Sequence, residues 1–138
     1  MQESVKSQPL RWFKWWLTLG WLLVAAVIYL SLTPHPIEID IAQGDKLGHA
    51  LAYTLLMFWF CQLYDSRRAR IGHALGFVAL GIAIEFAQRA TEYRSFELWD
   101  MAADGAGIVI GWMLALATGP RLPARFETAI EAVIARWR

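Results

Sequence analysis

The chain has 138 residues, 57% of them hydrophobic, a formal net charge of +1 and a single cysteine. That length holds one domain, the small charge with no concentrated basic face argues against nucleic acid as a partner, and one thiol excludes an intrachain disulfide. Mean hydropathy is +0.37, and the apolar excess gathers into four blocks, each near the roughly 20 helical residues that cross about 30 Å of hydrocarbon.

The first block is WWLTLGWLLVAAVIYLSL, Trp15 to Leu32. Before it, Arg11 and Lys14 alternate with Trp12, Phe13, Trp15 and Trp16, the mixture of rings and cations that a membrane interface selects. A basic start and an apolar middle also suit a signal peptide, but this run is long and ends in SLTPHP rather than a small-x-small cleavage site. An uncleaved anchor is therefore expected, with residues 1–14 forming a cytoplasmic segment. Pro34 and Pro36 stop the helix, and the loop PIEIDIAQGD follows.

The second block, LGHALAYTLLMFWFCQLY, covers 47–64 and places Cys61 among apolar residues, where it reads as a small buried hydrophobe. DSRRAR is expected to be a basic turn. Block three, IGHALGFVALGIAIEFAQ, covers 71–88; the loop RATEYRSFELW leads to block four, DMAADGAGIVIGWMLALAT, over 100–118. None alternates as a strand does, and helices satisfy their own backbone polar groups, as lipid requires. The expected fold is all-α: a bundle of four transmembrane helices within 15–118.

Orientation follows from Lys and Arg in the short flanks. Lys6, Arg11 and Lys14 precede the first block, Arg67, Arg68 and Arg70 separate the second from the third, and Arg121, Arg125, Arg136 and Arg138 fill the tail. The other two loops mix Lys46, Arg89 and Arg94 with Glu38, Asp40, Asp45, Glu92, Glu97 and Asp100. Both termini are expected in the cytoplasm, and the acidic loops outside. In the tail, 119–138, Leu122, Phe126, Ile130, Val133 and Trp137 make one helical stripe, which predicts an amphipathic helix on the inner membrane face. A partner-binding helix of the same shape is the alternative.

This topology collects the polar residues of the spans at one end. Asp45, His49 and Tyr53 recur at i, i+4, i+8 with Lys46 beside them; Glu85 and Gln88 share a face of the third helix; Asp100 and Asp104 share a face of the fourth; Arg94 lies in the loop between. A charged side chain in hydrocarbon costs at least ~2.5 kcal/mol, so such residues face a bundle interior or a wet cavity and mark function. Asp45, Lys46, His49, Tyr53, Glu85, Gln88, Arg94, Asp100 and Asp104 are therefore the expected binding residues. Lys46 and Arg94 suit an anion. His49, poised by Glu85 or Asp45, is the candidate proton carrier, and Glu85 and Asp104 are the further catalytic candidates. An ion-pair network, Asp45 or Glu85 with Lys46 and Asp100 with Arg94, is the bland alternative. Asp45, His49, Glu85 and Asp104 are suitable metal-ligand types and leave a metal site as a further alternative, but no H-x-x-E-H or comparable paired spacing supports it, so neither a metal nor another cofactor is expected. Gly72 with Gly76 and Gly107 with Gly111 form GxxxG pairs that predict close helix packing, and His73 and His35 read as structural or exposed.

In this order the pieces D-K-x-x-H-x-x-x-Y (Asp45, Lys46, His49, Tyr53), E-x-x-Q (Glu85, Gln88), Arg94 and D-x-x-x-D-x-x-G-x-x-x-G (Asp100, Asp104, Gly107, Gly111) resemble the VanZ-like family of bacterial integral membrane proteins. The resemblance covers residues 45–111, roughly half the chain; it departs at Asp104, where the family often has Asn. It implies a multi-pass protein of the bacterial inner membrane. The family's namesake is linked to resistance to the glycopeptide teicoplanin. The function expected is binding or processing of an envelope lipid or lipid-linked headgroup in an outward-facing pocket. The alternative is a non-catalytic scaffold that recruits a protein partner, with the C-terminal helix as the candidate surface.

Overall fold

The structure, a computed structural model, describes residues 9–34, 44–91, 97–118 and 122–137. These residues form five helices and no strand: α1 (Phe13–Leu32), α2 (Gly44–Leu63), α3 (Arg67–Arg89), α4 (Leu98–Ala117) and α5 (Leu122–Arg136). The first four overlap the four apolar blocks and begin before them, because their first turns carry interfacial or polar residues that the hydropathy of the blocks leaves out. DSRRAR is not a turn. Ser66 caps α3 by accepting the Ala69 N–H at 3.2 Å, so Arg67 to Arg70 make its first turn. Arg70 then reaches back to the end of α2, donating to the Tyr64 carbonyl at 2.9 Å and the Cys61 carbonyl at 3.2 Å. At the other end of α1, Thr33 leaves the helix with φ −69° and ψ 141°, the extended conformation that the following Pro34 favours.

α2 is the central helix. Tyr53, Leu56, Met57, Phe60, Cys61 and Leu63 are all buried, Cys61 as the sequence predicts. Its closest neighbour is α4. A Cβ on Gly107 or Gly111 would collide with the carbonyl oxygens of Ala50 and Thr54, so these glycines let the two backbones touch. Thr54 Oγ1 adds a hydrogen bond to the Gly107 carbonyl at 3.1 Å. At Gly72 and Gly76, the same motif on α3, an added Cβ would meet nothing within 4 Å. Among the described residues the expected close packing is absent there, because these glycines lie on the exposed face of α3.

Three helices, α1, α3 and α4, are long and apolar enough to cross a membrane. α2 is as long as α1 and α4, but it holds Asp45, Lys46, His49 and Gln62 and lies between the others. The outer surface is greasy: Trp21, Leu22, Leu75, Phe86 and Leu116 are each more than half exposed, an apolar display that suits lipid rather than water. His73 packs its ring 4.8 Å from that of Phe60 and 4.7 Å from that of Tyr64, with Nδ1 2.8 Å from the Ala69 carbonyl, a structural role. His35 lies outside the described residues.

The tail is helical as expected, but its buried side is not the apolar stripe. Pro123 and Glu127 are buried, whereas Leu122, Phe126, Val133 and Trp137 are exposed. Glu127 accepts the peptide N–H groups of Arg11 at 2.8 Å and Trp12 at 3.0 Å, and the Trp16 indole N–H at 2.8 Å. Since Trp12 offers α1 no side-chain cap, Glu127 takes the two peptide N–H groups just ahead of the first turn and sets a negative charge at that end of the helix.

Candidate functional site

α2 and α4 begin, and α3 ends, at the same end of the bundle. His49 and Tyr53 on α2 face Asp100 and Asp104 on α4, whose backbone is held close by Gly107 and Gly111. His49 Nδ1 lies 2.9 Å from Asp104 Oδ1, and Nε2 lies 3.8 Å from Asp100 Oδ2. A carboxylate only accepts, so the Nδ1–H tautomer fits this contact and leaves Nε2 open. The sequence expected Glu85 or Asp45 to poise His49; the direct contact is with Asp104, which the close α2–α4 packing brings there, while Glu85 stands within 4.8 Å.

Lys46 Nζ stands 3.2 Å from Asp45, 2.9 Å from Glu97 and 3.8 Å from Asp100. It pairs with Asp45 as the bland alternative supposes, but with Glu97 rather than Glu85. Glu85 is fully buried and instead accepts the Glu97 peptide N–H on Oε2 at 3.2 Å, tying the end of α3 to the start of α4. Gln88 donates to the Ser31 carbonyl at 2.9 Å and so holds the last turn of α1. Along that turn lies an apolar groove of about 550 Å³, lined by Ala25, Ile28, Tyr29, Leu32, Thr33 and Pro34.

Eight of the nine expected binding residues, Asp45, Lys46, His49, Tyr53, Glu85, Gln88, Asp100 and Asp104, therefore lie at one end of the bundle; Arg94 lies outside the described residues. Five buried atoms among them have no hydrogen-bond partner among the described residues: Tyr53 Oη, Glu85 Oε1, Gln88 Oε1, Asp104 Oδ2 and Asp100 Oδ1, the last with the Lys46 ammonium 3.8 Å away. Each such atom costs about 1–3 kcal/mol, more where it is charged.

Two contributors escaped the sequence reading. Glu97 supplies both the Lys46 partner and the Glu85 donor; it stands three residues before Asp100, so helical spacing was the available signal. Gly81 makes room for the acid behind it, since a Cβ there would lie 2.6 Å from Asp104 Oδ2 and 3.3 Å from Tyr53 Oη. It precedes Glu85 by one turn on the same face. No spacing along the chain signals a metal, yet His49, Glu85 and Asp100 bring one ligand atom each within 4.8 Å of the others.

Comparison with known protein families, with curated proteins and with solved structures returns no match.

Proposed function

We propose that the chain is a VanZ-like, four-span protein of the bacterial inner membrane, with both termini in the cytoplasm, whose polar cluster binds or processes an envelope lipid or lipid-linked headgroup at the outer leaflet. The observation that carries this reading is the set of buried polar atoms from α2, α3 and α4, Tyr53 Oη, Glu85 Oε1, Gln88 Oε1 and Asp104 Oδ2, that have no hydrogen-bond partner among the described residues. A network serving stability alone satisfies its members, because a half-satisfied buried network is worse than an apolar core. A ligand with hydroxyl, amide or phosphate groups supplies the missing partners. Lys46 offers charge to an anionic group, His49 a proton site, and Tyr53 and Gln88 orienting contacts. α2 counts as the fourth span in this reading because its polar residues face its neighbours rather than lipid. The exposed apolar residues of α5 rest on the inner membrane surface. An effect on glycopeptide susceptibility follows if the lipid-linked ligand is a cell-wall precursor.

The second reading, a scaffold, draws on the Lys46 pairs and the Glu85–Glu97 and Gln88–Ser31 contacts, which tie helix ends together. His49→Ala and Glu85→Gln separate the two. With folded yield and thermal stability near wild type, loss of extracted-lipid binding supports the pocket. Collapse of both variants in detergent, with no lipid retained by the wild type, supports the scaffold.

A further inference from the structure

Two groups in the cluster stand close enough to share a cation. Asp45, Glu97 and Asp100 form one, and His49, Glu85 and Asp100 the other. The first already surrounds a cation of the chain itself, the Lys46 ammonium, at 3.2, 2.9 and 3.8 Å. The second shares Asp100, and with it the Lys46 ammonium at 3.8 Å, but neither His49 nor Glu85 is paired with a lysine or arginine among the described residues. Glu85 is 0% exposed and its Oε1 has no hydrogen-bond partner among the described residues. Nε2 of His49 stands 3.8 Å from Asp100, beyond hydrogen-bonding distance.

From this geometry we propose that His49 Nε2, one oxygen of Glu85 and one oxygen of Asp100 bind a single divalent transition cation, Zn²⁺ or Mn²⁺. Three protein ligands of nitrogen and carboxylate type with an open further position match such ions, whereas Ca²⁺ takes six to eight oxygens. Zinc ligands at about 2.0–2.2 Å from the metal stand ~3.4 Å apart, so the three groups need only close by about an ångström. Asp104 is the positioning residue. Its hold on Nδ1 aims Nε2 at the ion, the carboxylate–histidine–metal arrangement that fixes tautomer and ring orientation. The ion offsets carboxylates that otherwise lie buried together, and its open position accepts an anionic oxygen. Only that last step rests on the lipid-pocket reading.

The test uses the full chain in detergent, stripped with a chelator and titrated calorimetrically with Zn²⁺ and, separately, Mn²⁺. One ion per chain is expected. Glu85→Gln should weaken binding at least about tenfold, and Asp104→Asn by about 10–100-fold with unchanged stoichiometry, while His73→Ala binds as wild type does. Co²⁺ gives a second readout: visible ligand-field bands that Glu85→Gln diminishes, measured beside circular dichroism showing both chains folded. Absence of saturable binding to the wild type overturns the cation site, and so does wild-type affinity in folded Glu85→Gln. Lipid retained equally with and without chelator, in a chain that binds no metal, overturns the cation and leaves the pocket. Metal bound with no lipid retained supports the cation and overturns the lipid pocket.

Discussion

Glu127 sits 7% exposed between α5 and the start of α1, with two peptide N–H groups and an indole N–H on its oxygens. Burial pushes its carboxyl up, but the hydrogen bonds from Trp12, Trp16 and Arg11 and the nearby Arg11 charge outweigh that and hold it below the ordinary glutamate value. A lowered carboxyl stabilises the folded state fully above its unfolded value, and that contribution is lost as pH falls through the folded one. Acid should therefore loosen α5 from α1. Tryptophan emission, followed down the pH scale in detergent, should hold steady to the ordinary glutamate range and step below it. The step should be missing in Glu127→Gln, whose α5 should be cut faster by protease at neutral pH. Identical titrations in the two chains would sink the idea. No motif marks this residue: in sequence it is one of several charges opposite an apolar stripe, and its donors lie 111 to 116 positions away.

At the scale of elements, two identical GxxxG signatures have opposite environments. Gly111→Ala places a methyl against the Thr54 backbone and should cost about 1–3 kcal/mol by overpacking. Gly72→Ala meets open space and should gain about 0.5–1 kcal/mol, because glycine weakens a helix interior relative to alanine. Reversible unfolding of both variants in one detergent checks the contrast. The helices themselves were legible, since length and hydropathy are local properties, and so was the gathering of His49, Tyr53, Glu85 and Asp104, which needs only spacing and alternating direction. Pairings were not. Glu85 was a plausible partner for Lys46 until the α2–α4 contact brought Glu97 there, and a GxxxG pair says nothing of which backbone, if any, it meets. Ser66 was not read as a cap, because the run of arginines after it suits a basic turn as well as a first helical turn.

For the whole molecule, α2 lies inside a group whose other three long helices meet the requirements for crossing a membrane. The polar end joins the starts of α2 and α4 to the end of α3, so in the proposed four-span arrangement one compartment receives all three. With Cys61→Ser as background, single cysteines at Ser66 and at Leu98 should differ in labelling by an impermeant maleimide from outside: Leu98 modified, Ser66 protected until the cells are broken. The opposite pattern would invert the proposed orientation. The charge bias of the flanks predicts this from sequence, whereas the burial of Glu85 needed three helices in place.

The contact of Glu127 with the first turn of α1 also bears on the order of assembly. α1 is the first of the helices to be synthesised, yet the carboxylate that closes its open donors arrives 111 residues after Trp16. Throughout synthesis those N–H groups must be served by water or lipid headgroups at the interface. Of the five helices, the earliest made is thus the last to be finished, and the arrival of α5 is the step that latches it.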